Sequence, residues 1–130
     1  MIYTYDYDLD YLPAMPIVTL SIGIPDSETT LTLSALVDSG ADATMIPIKY
    51  LQEIQAIQAI KRQRVFIRTS SAQRAGANLY TISLQFAHYR RNRIEVVGNQ
   101  DTDEVIVGRD ILNHLVVTLD GLASAVLVQQ

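Results

Sequence analysis

Leu36-Val37-Asp38-Ser39-Gly40-Ala41-Asp42-Ala43-Thr44 closes an apolar run with an acid, a hydroxyl and a glycine, then repeats the acid and the hydroxyl. Upstream, Leu31, Leu33, Ala35 and Val37 alternate with Thr32, Ser34 and Leu36, the period of a strand with at least one buried face. Asp38 therefore stands where a buried strand ends and a tight turn begins. Gly40 is expected to give that turn backbone conformations closed to residues with a side chain. Taken alone, Asp-Ser-Gly is also an ordinary hydrophilic turn. What changes its meaning is the sequence around it and a second segment near the C-terminus. There Val105-Ile106-Val107, a short apolar strand, meets Gly108-Arg109-Asp110.

Ile17 to Ile24 reads as a strand, Pro25-Asp26-Ser27-Glu28 as a turn, and Thr29 to Val37 as the returning strand that delivers Asp38. Before them, Tyr3, Tyr5 and Tyr7 alternate with Thr4, Asp6 and Asp8 in a Tyr/Asp-rich arm, residues 1–16, which suits either an edge strand or a mobile arm. Beyond the turn, Leu51, Ile54, Ile57 and Ile60 recur with Gln and Glu between them. That spacing predicts an amphipathic helix from Pro47 to Ile60, its stripe packed on the core. Lys61-Arg62-Gln63-Arg64 suits a solvated helix end. Thr69 to Ala77 reads as a loop or hairpin tip, Leu79 to Ala87 as a strand, Arg90 to Arg93 as a polar turn and Ile94 to Val97 as the return. A short helix is expected from Arg109 or Asp110. Leu115–Leu119 and Ala125–Val128 flank Asp120-Gly121, a hairpin signal.

At 130 residues one domain is expected, and 48% hydrophobic residues suffice for a core. A net charge of −4 argues against a general nucleic-acid binder. The absence of cysteine excludes disulfides, thiolate metal sites and a cysteine nucleophile, and two histidines make a histidine-rich metal site a poor reading. The N-terminus lacks a basic region followed by a long apolar one, and no apolar stretch approaches the roughly 20 residues that span a bilayer. The expectation is a soluble cytoplasmic protein, or a soluble piece of a longer one, with no membrane or nucleic-acid partner.

The two segments together resemble the signatures of retropepsin-like aspartic proteases. Val37 to Thr44 is similar to that family's hydrophobic-Asp-Thr/Ser-Gly-Ala-Asp/Gln-x-Thr. Val105 to Leu112 is similar to its apolar strand followed by Gly-Arg/Leu-Asp/Asn-x-Leu. The order is the family's, and the resemblance extends from Ile17 to Val128. It implies a mostly β, closed β-barrel half of the acid-protease type with one medium and one short helix, residues 17–130 forming the protease domain after the arm. Family members use two carboxylates that share a proton. With one Asp-Ser-Gly per chain, the resemblance implies a homodimer with Asp38 of each copy at the twofold axis.

The resemblance also assigns roles. Asp38 is catalytic. The Ser39 hydroxyl bonds across the dimer beneath the acids. Gly40 lets backbone carbonyls approach a peptide substrate, Ala41 lines the pocket, and Asp42 bonds substrate backbone while pairing with Arg109. Thr44, Gly108, Arg109 and Asp110 support the site. A flap at about Ile67 to Leu79 would place Gly76 against substrate; it holds fewer glycines than flaps of the family often do. With the Ser39 variant of the motif and the long helix, this points to the cellular or bacterial type. His114 is a helix-end residue, and no metal or cofactor is required. The expected function is aspartic endopeptidase. The alternative is a non-catalytic dimerisation or peptide-binding module of the same fold.

Overall fold

Strict alternation in the first hairpin becomes an alternation of burial. The computed structural model describes residues 1–58, 65–68 and 74–129, with backbone alone for 65–68 and 74–77. In chain order the elements are β1 (Ile2–Asp6), β2 (Ile17–Gly23), β3 (Leu31–Val37), β4 (Met45–Pro47), α1 (Ile48–Glu53), β5 (Ile57–Gln58), β6 (Val65–Arg68), β7 (Arg74–Phe86), β8 (Tyr89–Asn99), β9 (Val105–Val107), α2 (Arg109–Leu112), β10 (Val116–Asp120) and β11 (Ala125–Gln129). Val18, Leu20 and Ile22 of β2 are fully buried, and Leu33 and Ala35 of β3 face the same core.

The strands run β2-β3-β9-β4-β8-β7, and β7 pairs again with β2, so the sheet closes into a six-stranded barrel. β3 and β9 pair in parallel, Ala35 beside Val105 and Val37 beside Val107. β4 lies antiparallel to β9 and parallel to β8. The interior holds Phe86, Leu20, Ile22, Ile46, Ile82 and Leu84, all fully buried. At about 1.5–3 kcal/mol per buried aliphatic side chain, this layer is the main driving force for the closed sheet. β7 serves several partners because its register shifts between Ile82 and Leu84, a bulge that bends the strand.

A second sheet, ordered β1-β11-β10, lies apart from the barrel sheet. Val126 and Val128 of β11 are fully buried in the common core. Tyr5 of β1 sits with its ring 6.1 Å from that of Phe86, and burial, then the neighbouring Tyr3, pushes its hydroxyl pKa up. His88 Nε2 donates to the Met1 carbonyl (3.0 Å), and Tyr3 meets the His88 ring edge-on. Of the two states open for the start of the arm, the backbone takes the strand.

Three expectations need correction. The helix predicted over 47–60 is α1, six residues long, so both helices are short. Pro47 ends β4 and precedes the first helical residue. Gln55 turns left-handed (φ 59°), Gln55 N–H reaches the Gln52 carbonyl (3.0 Å), and Ala56 N–H reaches that of Leu51 (2.9 Å), a glycine-style helix stop made with glutamine. A spacing of three rotates the stripe by about 60° per step on a helix of 3.6 residues per turn. Leu51 and Ile54 are thus buried, whereas Ile57 is exposed on the edge strand β5. Ile60 and the 61–64 basic cluster lie outside the described residues. The turn expected at Arg90–Arg93 falls instead at Ala87–His88, with Ala87 at φ 53°, and the arginines belong to β8. Arg74 to Ala77 are the start of β7, paired with β6, and the hairpin tip 69–73 lies outside the described residues. No helix among the described residues is long and apolar enough to cross a membrane.

Candidate active site

The site is built where the parallel pair β3 and β9 ends. Asp38 N–H donates to the Val107 carbonyl (3.1 Å), so the strand bonding continues one residue into the turn. The Asp38 Oδ1 accepts Gly40 N–H (2.9 Å), and the Asp38 carbonyl accepts Ala41 N–H (3.2 Å). The carboxylate therefore closes its own turn, as Asp does well. Val37 N–H donates to the Pro16 carbonyl (3.2 Å), which fixes the residue before Asp38 from the side of β2. Asp38 is half-buried, and Ser39 and Gly40 are exposed.

Gly40 differs from expectation. No described glycine has a positive φ, and a Cβ at Gly40 would meet only Asp38 Oδ1, at 3.1 Å. Its smallness spares the carboxylate; special backbone freedom is not used. Gly108 has the opposite character. Its backbone is extended, but a Cβ there would lie 2.6 Å from the Ala43 carbonyl carbon and 2.7 Å from its oxygen. The second segment passes so close behind the Asp38 turn that only glycine fits.

Behind the turn, three consecutive residues brace it. Gly108 N–H donates to Thr44 Oγ1 (3.2 Å), and Thr44 Oγ1 donates to Asp110 Oδ1 (2.8 Å). Asp110 Oδ2 accepts Thr44 N–H (3.0 Å), and its Oδ1 also accepts Ile111 N–H (3.0 Å). Thr44 is fully buried with its hydroxyl and amide satisfied. Arg109 N–H donates to the Ala41 carbonyl (2.9 Å). The Arg109 guanidinium donates to the Ser39 carbonyl (2.7 Å) and forms an ion pair with Asp42. Asp42 is 90% exposed and Arg109 42%, so this pair is worth at most about 1 kcal/mol to stability. Its main effect is to hold the loop carbonyl and carboxylate in one geometry.

Asp38, Ser39, Gly40, Ala41, Asp42, Thr44, Gly108, Arg109 and Asp110 are thus gathered at one point. Gly76 belongs to a separate element, paired with Phe66 on the β6–β7 hairpin. Sequence reasoning missed the carbonyls of Pro16, Ser39 and Val107 as fasteners. Backbone acceptors carry no residue signal, although Pro16 before the first strand marks where one of them stands.

The fold is shared with solved aspartic proteases. The EIAV protease complexed with the inhibitor HBY-793 superposes with a TM-score of 0.61 at 19% identity, over 85% of this chain and 93% of that one. A retropepsin-like aspartic protease from Rickettsia conorii gives 0.66 at 14% identity, over 98% of this chain and 90% of that one. No curated protein matches in sequence. The class of fold is therefore retropepsin-like. A family model described as gag-polyprotein putative aspartyl protease matches residues 29–114, which span both segments of the site, and the chain belongs to that family.

Proposed function

We propose that the chain is an aspartic endopeptidase that works as a homodimer, Asp38 of each copy supplying half of the catalytic pair. The observation that carries this reading is the fixing of a half-buried carboxylate at a strand end by β9 and the Gly108–Asp110 brace. A plain surface turn needs no such brace. Two carboxylates held together share one proton, because both cannot ionise easily. The ionised Asp38 takes a proton from water as the water oxygen attacks the peptide carbonyl carbon. The protonated Asp38 of the other copy donates to the carbonyl oxygen. The tetrahedral diol then collapses: the Asp38 that took the water proton gives it to the amine nitrogen, the other Asp38 takes a proton back from a diol hydroxyl, the C–N bond breaks, and acid and amine leave with the pair again sharing one proton. Arg109 positions the Ser39 carbonyl and Asp42, and Asp42 and Gly40 meet the substrate backbone. The β6–β7 hairpin, with Gly76, closes over an extended peptide. The last strands contribute to the dimer sheet: β1 already covers one side of β11, and β10, with Val116 and Leu119 exposed, is the edge offered to the second copy.

The test is cleavage of a diverse peptide library, read by mass spectrometry between about pH 4 and 7, where a shared-proton carboxylate pair operates. Asp38→Asn is run beside the parent at high protein concentration. The parent cuts, and the variant loses at least about a thousandfold in rate. Equal activity in the two would end the reading. Peptide binding without turnover, unchanged in Asp38→Asn, would favour the non-catalytic module.

A further inference from the structure

Charge is segregated along this chain. Residues 54–94 carry eight of its ten Lys and Arg, Lys49 and Arg109 being the other two, and none of its 14 Asp and Glu. Residues 1–48 are the reverse, with seven acids and no base. At one end of β7 the fold joins the two kinds: Asp26 of the β2–β3 turn pairs with Arg93 (2.8 Å). At the other end it sets base against base. β6 and β7 pair antiparallel with Phe66 opposite Gly76 and Arg68 opposite Arg74. Among the described strand pairings, this is the sole register position that places two charged residues opposite each other. Like charges so placed weaken a hairpin, and an anion lying across them removes the penalty. Residues two apart on a strand share a face. Phe66, Arg68, Arg74 and Gly76 therefore belong to one face of the hairpin, and Val65, Ile67, Ala75 and Ala77 to the other. Gly76, given above the role of meeting substrate, shares its face with the two arginines. The carboxylates around the Asp38 turn are already committed: Asp38 to Gly40 N–H, Asp42 to Arg109, and Asp110 to Thr44.

We propose that, in the endopeptidase read above and resting on that reading, Arg68 and Arg74 are specificity residues that select extended peptides carrying Asp or Glu beside the scissile bond. The anion that relieves the arginine pair then comes with the substrate. An acidic side chain under the hairpin offsets the repulsion between Arg68 and Arg74, so hairpin closure is favoured by an acidic peptide and opposed by a basic one. Two copies present one such pair on each side of the scissile bond, so acids on either side are read. Nucleic acid is the poorer occupant. Its phosphates call for a broad basic face, whereas Arg93 is tied to Asp26 and the Asp38 turn beneath the hairpin is itself acidic.

The experiment compares the parent, Arg68→Gln/Arg74→Gln and the charge-reversed Arg68→Glu/Arg74→Glu. Arg90→Gln/Arg91→Gln is the control: it removes the same charge from exposed positions opposite Gln85 and Leu84, at the far end of β7. Circular dichroism checks each fold. The peptide library, run at about pH 6 where Asp and Glu are ionised, gives the residues flanking each cut. Fluorescence anisotropy in the Asp38→Asn background gives dissociation constants for labelled acidic, neutral and basic peptides of one length and for an oligonucleotide of matched charge. The parent cuts at sites flanked by Asp or Glu and binds the acidic peptide at least about fivefold more tightly than the neutral one, the scale of one or two solvated ion pairs. The glutamine variant loses both preferences, the glutamate variant favours the basic peptide, and the control behaves as the parent. Salt at about 1 M, where the screening length falls to about 3 Å, abolishes the preference in the parent. A parent indifferent to acidic residues overturns the assignment, as does a preference that survives in the glutamine variant. An equal loss in the control would make the effect one of general charge, and tighter binding of the oligonucleotide would make the hairpin a polyanion site; either overturns it too. A parent that binds the acidic peptide and cuts nothing ends only the endopeptidase reading, and anisotropy still decides the role of the arginines.

Discussion

The Asp38 turn and the β1-β11-β10 sheet are built to opposite rules. Around the turn the chain completes itself: Thr44 is buried with both its donors placed, and the Ser39, Ala41 and Asp38 carbonyls each have a partner. On the sheet the backbone is ordered, yet Ile2, Val116, Leu119 and Leu122 stand in water. A single chain thus finishes the geometry of one carboxylate and leaves an apolar face uncovered. Backbone and side-chain bonding is concentrated where one carboxylate is held, and exposed apolar area remains where association would be favourable.

That contrast can be broken most directly at Gly108. Gly108→Ala drives a methyl into the Ala43 backbone and is expected to cost about 3 kcal/mol or more, read as a lower midpoint in urea unfolding. Tolerance of alanine would mean that the turn gives way easily and is no rigid seat. Asp110→Ala comes next. It leaves the Thr44 N–H and O–H donors without an acceptor in a buried place, costing about 2–3 kcal/mol by the same measurement, with Asp110→Asn intermediate. Arg109→Ala costs under about 1 kcal/mol, because its ion pair is largely solvated, but cleavage should fall far more than stability. Parallel losses in both would make Arg109 a simple fastener. On the other face Leu119→Lys should shift monomer stability by no more than about 0.5 kcal/mol while raising the dimer dissociation constant. A marked loss of monomer stability would show that the face is not spare.

The smallest effect lies outside both regions. Asp26, left-handed at φ 64° in the β2–β3 turn, accepts from Asn92 Nδ2 (2.9 Å) and Arg93 (2.8 Å) on β8. The Asn92 bond, then Arg93, holds its carboxyl below the usual carboxylate value. A depressed folded pKa stabilises above the unfolded value of 3.8, and that contribution disappears as pH falls through the folded one. Asp26→Asn should therefore be slightly less stable than the parent near neutrality, and the two unfolding curves should converge in strong acid. A gap that persisted there would remove the charge from the explanation.

How much of this was legible depended on whether the signal was local. The β2–β3 hairpin and the Asp38 strand end could be read because burial follows strict alternation there. The second segment could be read only through its resemblance to a family signature; that a Cβ at Gly108 would meet the Ala43 backbone is visible in the structure alone. The α1 stop could not, since Gln55 takes a left-handed turn without glycine or asparagine. The β7–β8 turn carries Ala87 at its positive φ and gives no warning, while the exposed outer half of β8 places Arg90 to Arg93 in water, where a strand resembles a polar turn. The Asp26 clamp joins residues 66 and 67 positions apart and leaves no mark in the composition of either stretch.

The parallel joining of β3 to β9 also has a consequence in time. Arg109 and the Ser39 carbonyl that it holds are separated by 70 residues of chain. At about 5–20 residues per second of synthesis, several seconds pass between the emergence of the acid and of the segment that seats it. During that interval a nascent chain carries Asp38 without Val107, Gly108, Arg109 or Asp110 behind it. The seat of Asp38 is therefore completed well after the acid itself has emerged, and until Asp110 follows, a nascent chain presents the Asp38 turn without its brace.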